Sequence, residues 1–245
     1  MNRRLQSIRA SIPLVMTLLL TVFCLAPDQK DADESGFKPL FNGKDLTNWK
    51  GDMKRWSVQD GAITGKNTAE DPLKYNTFLV YNGEVSDFEL RFSYKIQSGN
   101  SGVQYRSKLI DPDKFIVGGY QADIDSSPTY TGINYDERGR AILATRGQRV
   151  TIAEDGKKTV DQFGDAKELQ EKIKKEDWND YVIIAKGNNL KHIINGTLMS
   201  EVTDNQTDKA AKSGILAIQV HAGPPMTIQV KDIRIKELKA VAAAR

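Results

Sequence analysis

The fold class that this sequence predicts is an all-β sandwich or barrel, and three observations predict it. Apolar residues alternate with period two in Phe88, Leu90, Phe92, Tyr94 and Ile96, and again in Leu216, Ile218 and Val220, as half-buried strands require. Turn residues such as Gly61, Gly65, Asn82-Gly83, Gly99-Asn100, Gly118-Gly119, Gly187-Asn188 and Asn195-Gly196 interrupt those runs at short intervals. Only one stretch, Asp165 to Trp178, has helical spacing, with Leu169 and Ile173 four residues apart.

In chain order, the first element is a leader. Arg3, Arg4 and Arg9 precede the apolar run Ile12 to Ala26, and the polar stretch Pro27 to Gly36 follows it. That layout predicts a signal peptide over 1–26 and a polar linker over 27–36, hence a periplasmic or secreted protein with no membrane attachment after cleavage. The run has 15 residues, short of the roughly 20 that a helix needs to cross a bilayer. The lone Cys24 lies within it, so the mature domain has no disulfide and must rely on its core. From Phe37 to Leu238 the pattern predicts a single β domain, with 239–245 as a tail. Asn195-Gly196, between HII and TLM, marks a hairpin whose type I′ turn needs positive φ at both positions. Ala144 to Lys175 reads as a long excursion over one face of the domain.

Composition removes several function classes. Charged residues make up 27% and the apolar set 39% of 245 residues, a globular mixture. The formal charge of +3 comes from the leader, because setting its three arginines aside leaves 32 bases against 32 acids. With no basic stripe, a nucleic-acid partner is not expected. There is no Cys/His ligand spacing, GxSxG or P-loop, so no cofactor is expected. The one metal arrangement left open is calcium on Asp123, Asp125 and backbone carbonyls.

Alternation assigns faces. If Phe88 to Ile96 point inward, Glu89, Arg91, Ser93 and Lys95 point outward. In GVQYRS the outward pair is Gln104 and Arg106, in GYQADID it is Gln121 with Asp123 and Asp125, and in LAIQVHAG it is Gln219 with His221. Planar amides and a guanidinium suit sugar hydroxyls, which need several donors and acceptors at once. His221 ends its strand before Ala222-Gly223-Pro224-Pro225, where an imidazole can move protons at the mouth of a groove. By parity, His192 joins Leu190 and Ile194 in the core, and Trp49 and Trp56 are read as core too. Tyr135 and Arg138, in the charged loop Thr131 to Arg140, are candidates to close over a ligand.

The strings GFKPLFNGKDLTNW, DFELRF, NSGVQYRS, WNDYVIIAKGNNLKHIINGTLMSEVTD and GILAIQVHAGPPMTIQVKDIRIKEL occur in order, and together they resemble the 3-keto-disaccharide hydrolase domain family across Gly36 to Leu238. The resemblance implies a concanavalin-like jelly-roll of two antiparallel sheets and cleavage of glycosides oxidised to a ketone at carbon 3. The family's NSG-x-x-R motif falls on Asn100, Ser101, Gly102 and Arg106, and its late block on Gln219 and His221. Members often carry Glu-x-Gln and a later Asp where this chain has GYQADID, and ERGR after Tyr135-Asp136 reads as a subgroup feature.

A ketone at carbon 3 acidifies the proton on carbon 2, so loss of the group on carbon 1 becomes an elimination. Such chemistry asks for a base, a donor at the enolate oxygen and a proton for the leaving oxygen. The expected base is His221, with Asp123 or Glu89 as its orienting partner or as the alternative base. Arg106, Gln104, Gln121 and Gln219 are expected to hold an oxidised di- or oligosaccharide, with Arg138 and Tyr135 closing over it. The rival reading is a non-catalytic, lectin-like carbohydrate-binding module, which the same amide-rich face would serve. Oligomeric state is left open.

Overall fold

The computed structural model describes residues 34–239. The predicted signal peptide, Cys24, most of the linker and all but the first residue of the tail lie outside them. The described strands are β1 (Lys38–Pro39), β2 (Trp49–Lys50), β3 (Trp56–Gln59), β4 (Ala62–Asn67), β5 (Thr77–Val85), β6 (Phe88–Ser98), β7 (Asn100–Asp111), β8 (Ile116–Asp125), β9 (Asn134–Glu137), β10 (Ala141–Ala144), β11 (Gln148–Ile152), β12 (Lys158–Gln162), β13 (Asn179–Lys186), β14 (Asn189–Ile194), β15 (Thr197–Asp204), β16 (Gly214–Val220) and β17 (Met226–Glu237). They form a jelly-roll sandwich. One sheet runs β12-β11-β15-β14-β13-β6-β17-β4-β3, with β1 beside β17, and the other runs β10-β9-β8-β7-β16-β5-β2.

The alternating residues face each other between the sheets. Phe88, Leu90, Phe92, Tyr94 and Ile96 from one side meet Val103, Tyr105, Tyr120, Ala122, Ile124, Leu216, Ile218 and Val220 from the other, all in one buried cluster. Trp49 and Trp56 belong to it, as their sequence context predicts. His192 is fully buried between Tyr105 Oη (3.0 Å) and the Ile133 carbonyl (3.1 Å), and burial pushes its pKa down to about 3, so it stays neutral. The Asn195-Gly196 turn has φ of 50° and 77°, the positive pair that a type I′ hairpin demands.

Two local expectations are corrected. The helix is confined to Ala166–Gln170, capped by Asp165, whose carboxylate accepts from the Lys167 and Glu168 amides at 2.8 and 3.0 Å. Leu169 and Ile173 pack on the core as predicted, but the chain leaves the helix before Trp178. The supposed excursion contains β11 and β12, which extend the larger sheet, and β11 joins β15 in parallel within an otherwise antiparallel pattern.

The β7–β8 hairpin positions the site. Beyond Tyr105 its ladder breaks at a bulge, where Arg106 takes φ 47°. Gly119 opposite has φ 136°, and a Cβ there would lie 2.7 Å from Ser107 Oγ, so only glycine fits. The hairpin tip thereby folds back over the outer face of its own sheet. Val117 and Phe115 pack there on Phe78, Val80 and Ala217, and the Phe78 amide donates to the Phe115 carbonyl at 3.0 Å. The folded tip covers part of this face and leaves the rest open.

Candidate functional site

The open part is a cavity of about 770 Å³. Its floor is Gln121 and Asp123 of β8 and Gln219 of β16, and its walls include Tyr135 and Glu137 of β9 and His221 just after β16. Sequence parity places Gln121, Asp123, Gln219 and His221 on one polar face, and Tyr135 is expected from its loop. Tyr130 and Ile142, 43% and 37% exposed, add apolar surface at the rim of the kind sugar rings stack on.

A chain of amides runs beneath the floor. Ser107 Oγ donates to Gln104 Oε1 at 2.6 Å, Gln104 Nε2 to Gln121 Oε1 at 2.7 Å, and Gln121 Nε2 to Asp123 Oδ1 at 2.5 Å. Gln219 Nε2 also donates to Gln121 Oε1 at 3.3 Å, which leaves the buried Gln219 Oε1 without a partner at the cavity. Gly102 makes this stacking possible, because a Cβ there would lie 2.6 Å from Gln121 Cγ. Ser101 donates to the Gln219 carbonyl at 2.7 Å, and Asn100 lines the cavity. Asn100, Ser101 and Gly102 thus each serve the site differently.

The electrostatics separate the acids. Burial pushes the Asp123 carboxyl up to about 8, with the charges of Glu137 and Asp125 adding to the rise and the Gln121 hydrogen bond opposing it. At neutral pH Asp123 therefore carries a proton. With Oδ1 accepting from Gln121, Oδ2 is the oxygen left to donate. Burial also raises Glu137, against the pull of the Asn76 amide at 3.4 Å and of Arg138 and His221. Tyr135 is raised by burial and the neighbouring acids, so it remains a neutral donor.

His221 is held by its loop. Its Nδ1 meets the Ala222 carbonyl, an acceptor, so Nδ1 is the donor there and Nε2 is the nitrogen that holds the lone pair in the neutral ring. The Ala222 amide donates to Asn76 Oδ1 at 2.9 Å, and Asn67 Nδ2 donates to the Gly223 carbonyl at 2.9 Å. Asn76 thus ties the His221 loop to Glu137. Glu137 and Asn76 both escape a reading of the sequence. Glu137 is one charge among several in Thr131 to Arg140, and the fold-back that brings it to Asn76 leaves no trace in strand periodicity.

Several expected site residues lie elsewhere. Glu89 sits on β6 in the larger sheet, whose polar side is the opposite surface of the sandwich, where its carboxylate pairs with Arg91 at 2.7 Å. Alternation tells which way a residue points, but not which sheet its strand joins. Arg106 is turned away by its bulge and is 1% exposed. It donates to the carbonyls of Ser86 (2.6 Å) and Gly187 (2.7 Å) and to Asp87 Oδ1 (2.7 Å), clamping two turns. Arg106→Leu is expected to lower stability by about 3 kcal/mol, read from urea denaturation, because it strands a carboxylate and two carbonyls. Gln104 supports the floor from below and does not line the cavity. Arg138 is exposed at the β9–β10 turn.

Within the same loop, Arg140 is structural. It pairs with Asp136 and Asp204, each at 2.7 Å, and fixes the hairpin that carries Tyr135 and Glu137. Trp178 lies between Lys95 and Lys231, 5.0 and 4.3 Å from its ring. The oxygens of Asp125 accept from Ser127 N (3.0 Å) and Oγ (2.7 Å), and among the described residues no three His, Cys, Asp or Glu side chains gather as a metal site.

Comparison with known proteins agrees with this architecture. A glycosyl hydrolase candidate from Parabacteroides distasonis is 20% identical, with 83% of this chain and 94% of that one covered and a TM-score of 0.54. A Bacillus subtilis protein of unknown function with a galectin-like fold is 11% identical, covering 84% and 96%, with a TM-score of 0.56. The carbohydrate-binding module CBM66 from Bacillus subtilis is 14% identical, covering 78% and 96%, with a TM-score of 0.51. At these identities the likeness is one of fold. No curated protein matches the chain. The family profile of the 3-keto-alpha-glucoside-1,2-lyase-like domain matches residues 36–236, so the chain is carbohydrate-active and belongs to that family.

Proposed function

We propose that this protein cleaves 3-keto-glycosides, including 3-keto-disaccharides, by removing the carbon-2 proton and expelling the group on carbon 1. The observation that carries the reading is one cavity lined both by a carboxyl that burial keeps protonated near neutrality and by an imidazole whose Nδ1 is tied to its own loop, which leaves Nε2 for the substrate. His221 Nε2 takes the proton from carbon 2. The electron pair moves onto the carbon-3 oxygen, which Asp123 Oδ2 meets with a hydrogen bond, as a neutral acid in a dry site is suited to do. As the ketone re-forms, the carbon 1–oxygen bond breaks and a carbon 1–carbon 2 double bond appears. Glu137, on the cavity wall with its carboxyl raised by burial, passes a proton to the leaving oxygen in its acid form. Addition of water across the double bond then gives net hydrolysis. Gln121 and Gln219 hold the sugar hydroxyls, the orphaned Gln219 Oε1 accepting from one of them. In an α-glucoside the carbon-2 hydrogen and carbon-1 oxygen stand on opposite faces of the ring, so base and acid must flank it. Export to the periplasm or medium belongs to the same proposal and rests on the leader sequence.

The test is incubation of the protein lacking residues 1–35 with a 3-keto-disaccharide and with its unoxidised parent, followed by NMR in deuterated water. Release of the leaving sugar from the keto form alone, with an unsaturated keto sugar or deuterium at carbon 2, is the expected result. Binding of both sugars with cleavage of neither would overturn the reading in favour of a lectin-like module.

A further inference from the structure

A second cavity, of about 310 Å³, adjoins the first. Asp125 lines both, and the chain after it divides between them: Ser127 and Tyr130 face the first, Ser126 and Pro128 the second. The ridge between them is fixed from behind. Arg146 is 6% exposed and donates to the carbonyls of Pro128, Thr129 and Thr131 at 2.5, 3.2 and 2.7 Å, so the two cavities keep a constant relation.

The lining of the second cavity is unusual for a mere packing gap. Tyr94 is 1% exposed, and its hydroxyl has no hydrogen-bond partner. Gln170 Oε1 is buried and equally unpartnered. Both residues line the cavity, with Lys174 beside them and the apolar surfaces of Ile96 and Ile173. Buried polar groups ordinarily find partners, so a donor and an acceptor left open at one cavity point to a ligand that supplies both. A hydroxyl-bearing ring with apolar faces meets that description, and the volume falls within the range of small-ligand sites.

We propose that this cavity is a subsite for a sugar unit beyond the one whose carbon 2 is deprotonated, so that oligosaccharides lie across the Asp125 ridge into both cavities. This rests on the proposed glycoside cleavage. It makes the short segment around Gln170 a determinant of substrate length, a role the sequence does not advertise.

The experiment compares a methyl 3-keto-glucoside with a 3-keto-disaccharide and a 3-keto-trisaccharide, using native protein, Gln170→Ala and Tyr94→Phe. The native protein is expected to show a lower KM for the longer substrates. Each variant is expected to raise the KM ratio of the longer substrates to the methyl glycoside about five- to tenfold, the loss of one hydrogen bond. Gln170→Ala, in a short surface helix, keeps the test open should Tyr94→Phe fold poorly. An unchanged ratio in a folded variant would overturn the subsite. Saturation-transfer NMR with the unoxidised trisaccharide separates this failure from failure of the reaction. Magnetisation reaching the outer ring in the native protein but not in Gln170→Ala supports the subsite even if no keto sugar is cleaved, and equal transfer in both overturns it.

Discussion

His221→Ala is expected to lower kcat on a 3-keto-glycoside by about 10²- to 10⁴-fold, the usual contribution of a positioned general base. Solvent deuterium should no longer enter carbon 2, while binding of the keto sugar survives, because Gln121, Gln219 and Asp123 remain in place. The loop should hold its course, since Asn67 and Asn76 grip it through backbone groups and not through the imidazole. Free imidazole added to the variant should restore part of the exchange. Full exchange in His221→Ala together with its loss in Glu137→Gln would transfer the role of base to Glu137, which Asn76 links to the same loop.

Asp123 offers the second large effect, and two substitutions at one position tell its possible roles apart. Asp123→Leu removes the donor to the enolate oxygen and is expected to cost about 10²- to 10³-fold in kcat. Asp123→Asn keeps an acceptor for Gln121 and a donor for the substrate, so it should retain much more activity than the leucine variant. In the native protein the rate should fall as pH rises through about 8, where the carboxyl loses its proton, and this alkaline limb should vanish in Asp123→Asn. If Asp123 were the base, the asparagine variant would be as inactive as the leucine one.

Stability gives an independent check on the same carboxyl. Its folded pKa lies above the ordinary 3.8, so between 3.8 and about 8 the folded protein keeps a proton that the unfolded chain releases. Stability from this residue is therefore complete at low pH and is lost as pH rises through that window, at up to about 1.4 kcal/mol per pH unit. Asp123→Asn is expected to flatten that slope in urea denaturation measured from pH 5 to 8. A site that holds a neutral acid for catalysis carries a stability cost that its amide substitute avoids.

Much of this was legible in the amino-acid order. Strand side chains alternate, so Leu216 to His221 declares a buried face and a polar one without any partner strand, and Asn195-Gly196 declares its hairpin because few residues accept positive φ. That logic found Gln121, Asp123, Gln219 and His221, and the charge density of the loop Thr131 to Arg140 pointed to Tyr135. It failed at Glu89, because parity is a property of one strand whereas sheet membership is decided by which strands pair, and β6 pairs with β13 and β17. It failed at Arg106 because one bulge reverses the parity of everything after it. It could not find Glu137, which meets Asn76 only after the β7–β8 tip folds over its own sheet. Nor does the sequence show that Asp123 is protonated. Its identity as a carboxylic acid is written in the chain, but its pKa belongs to the water excluded around it, and only the packed tertiary structure excludes that water.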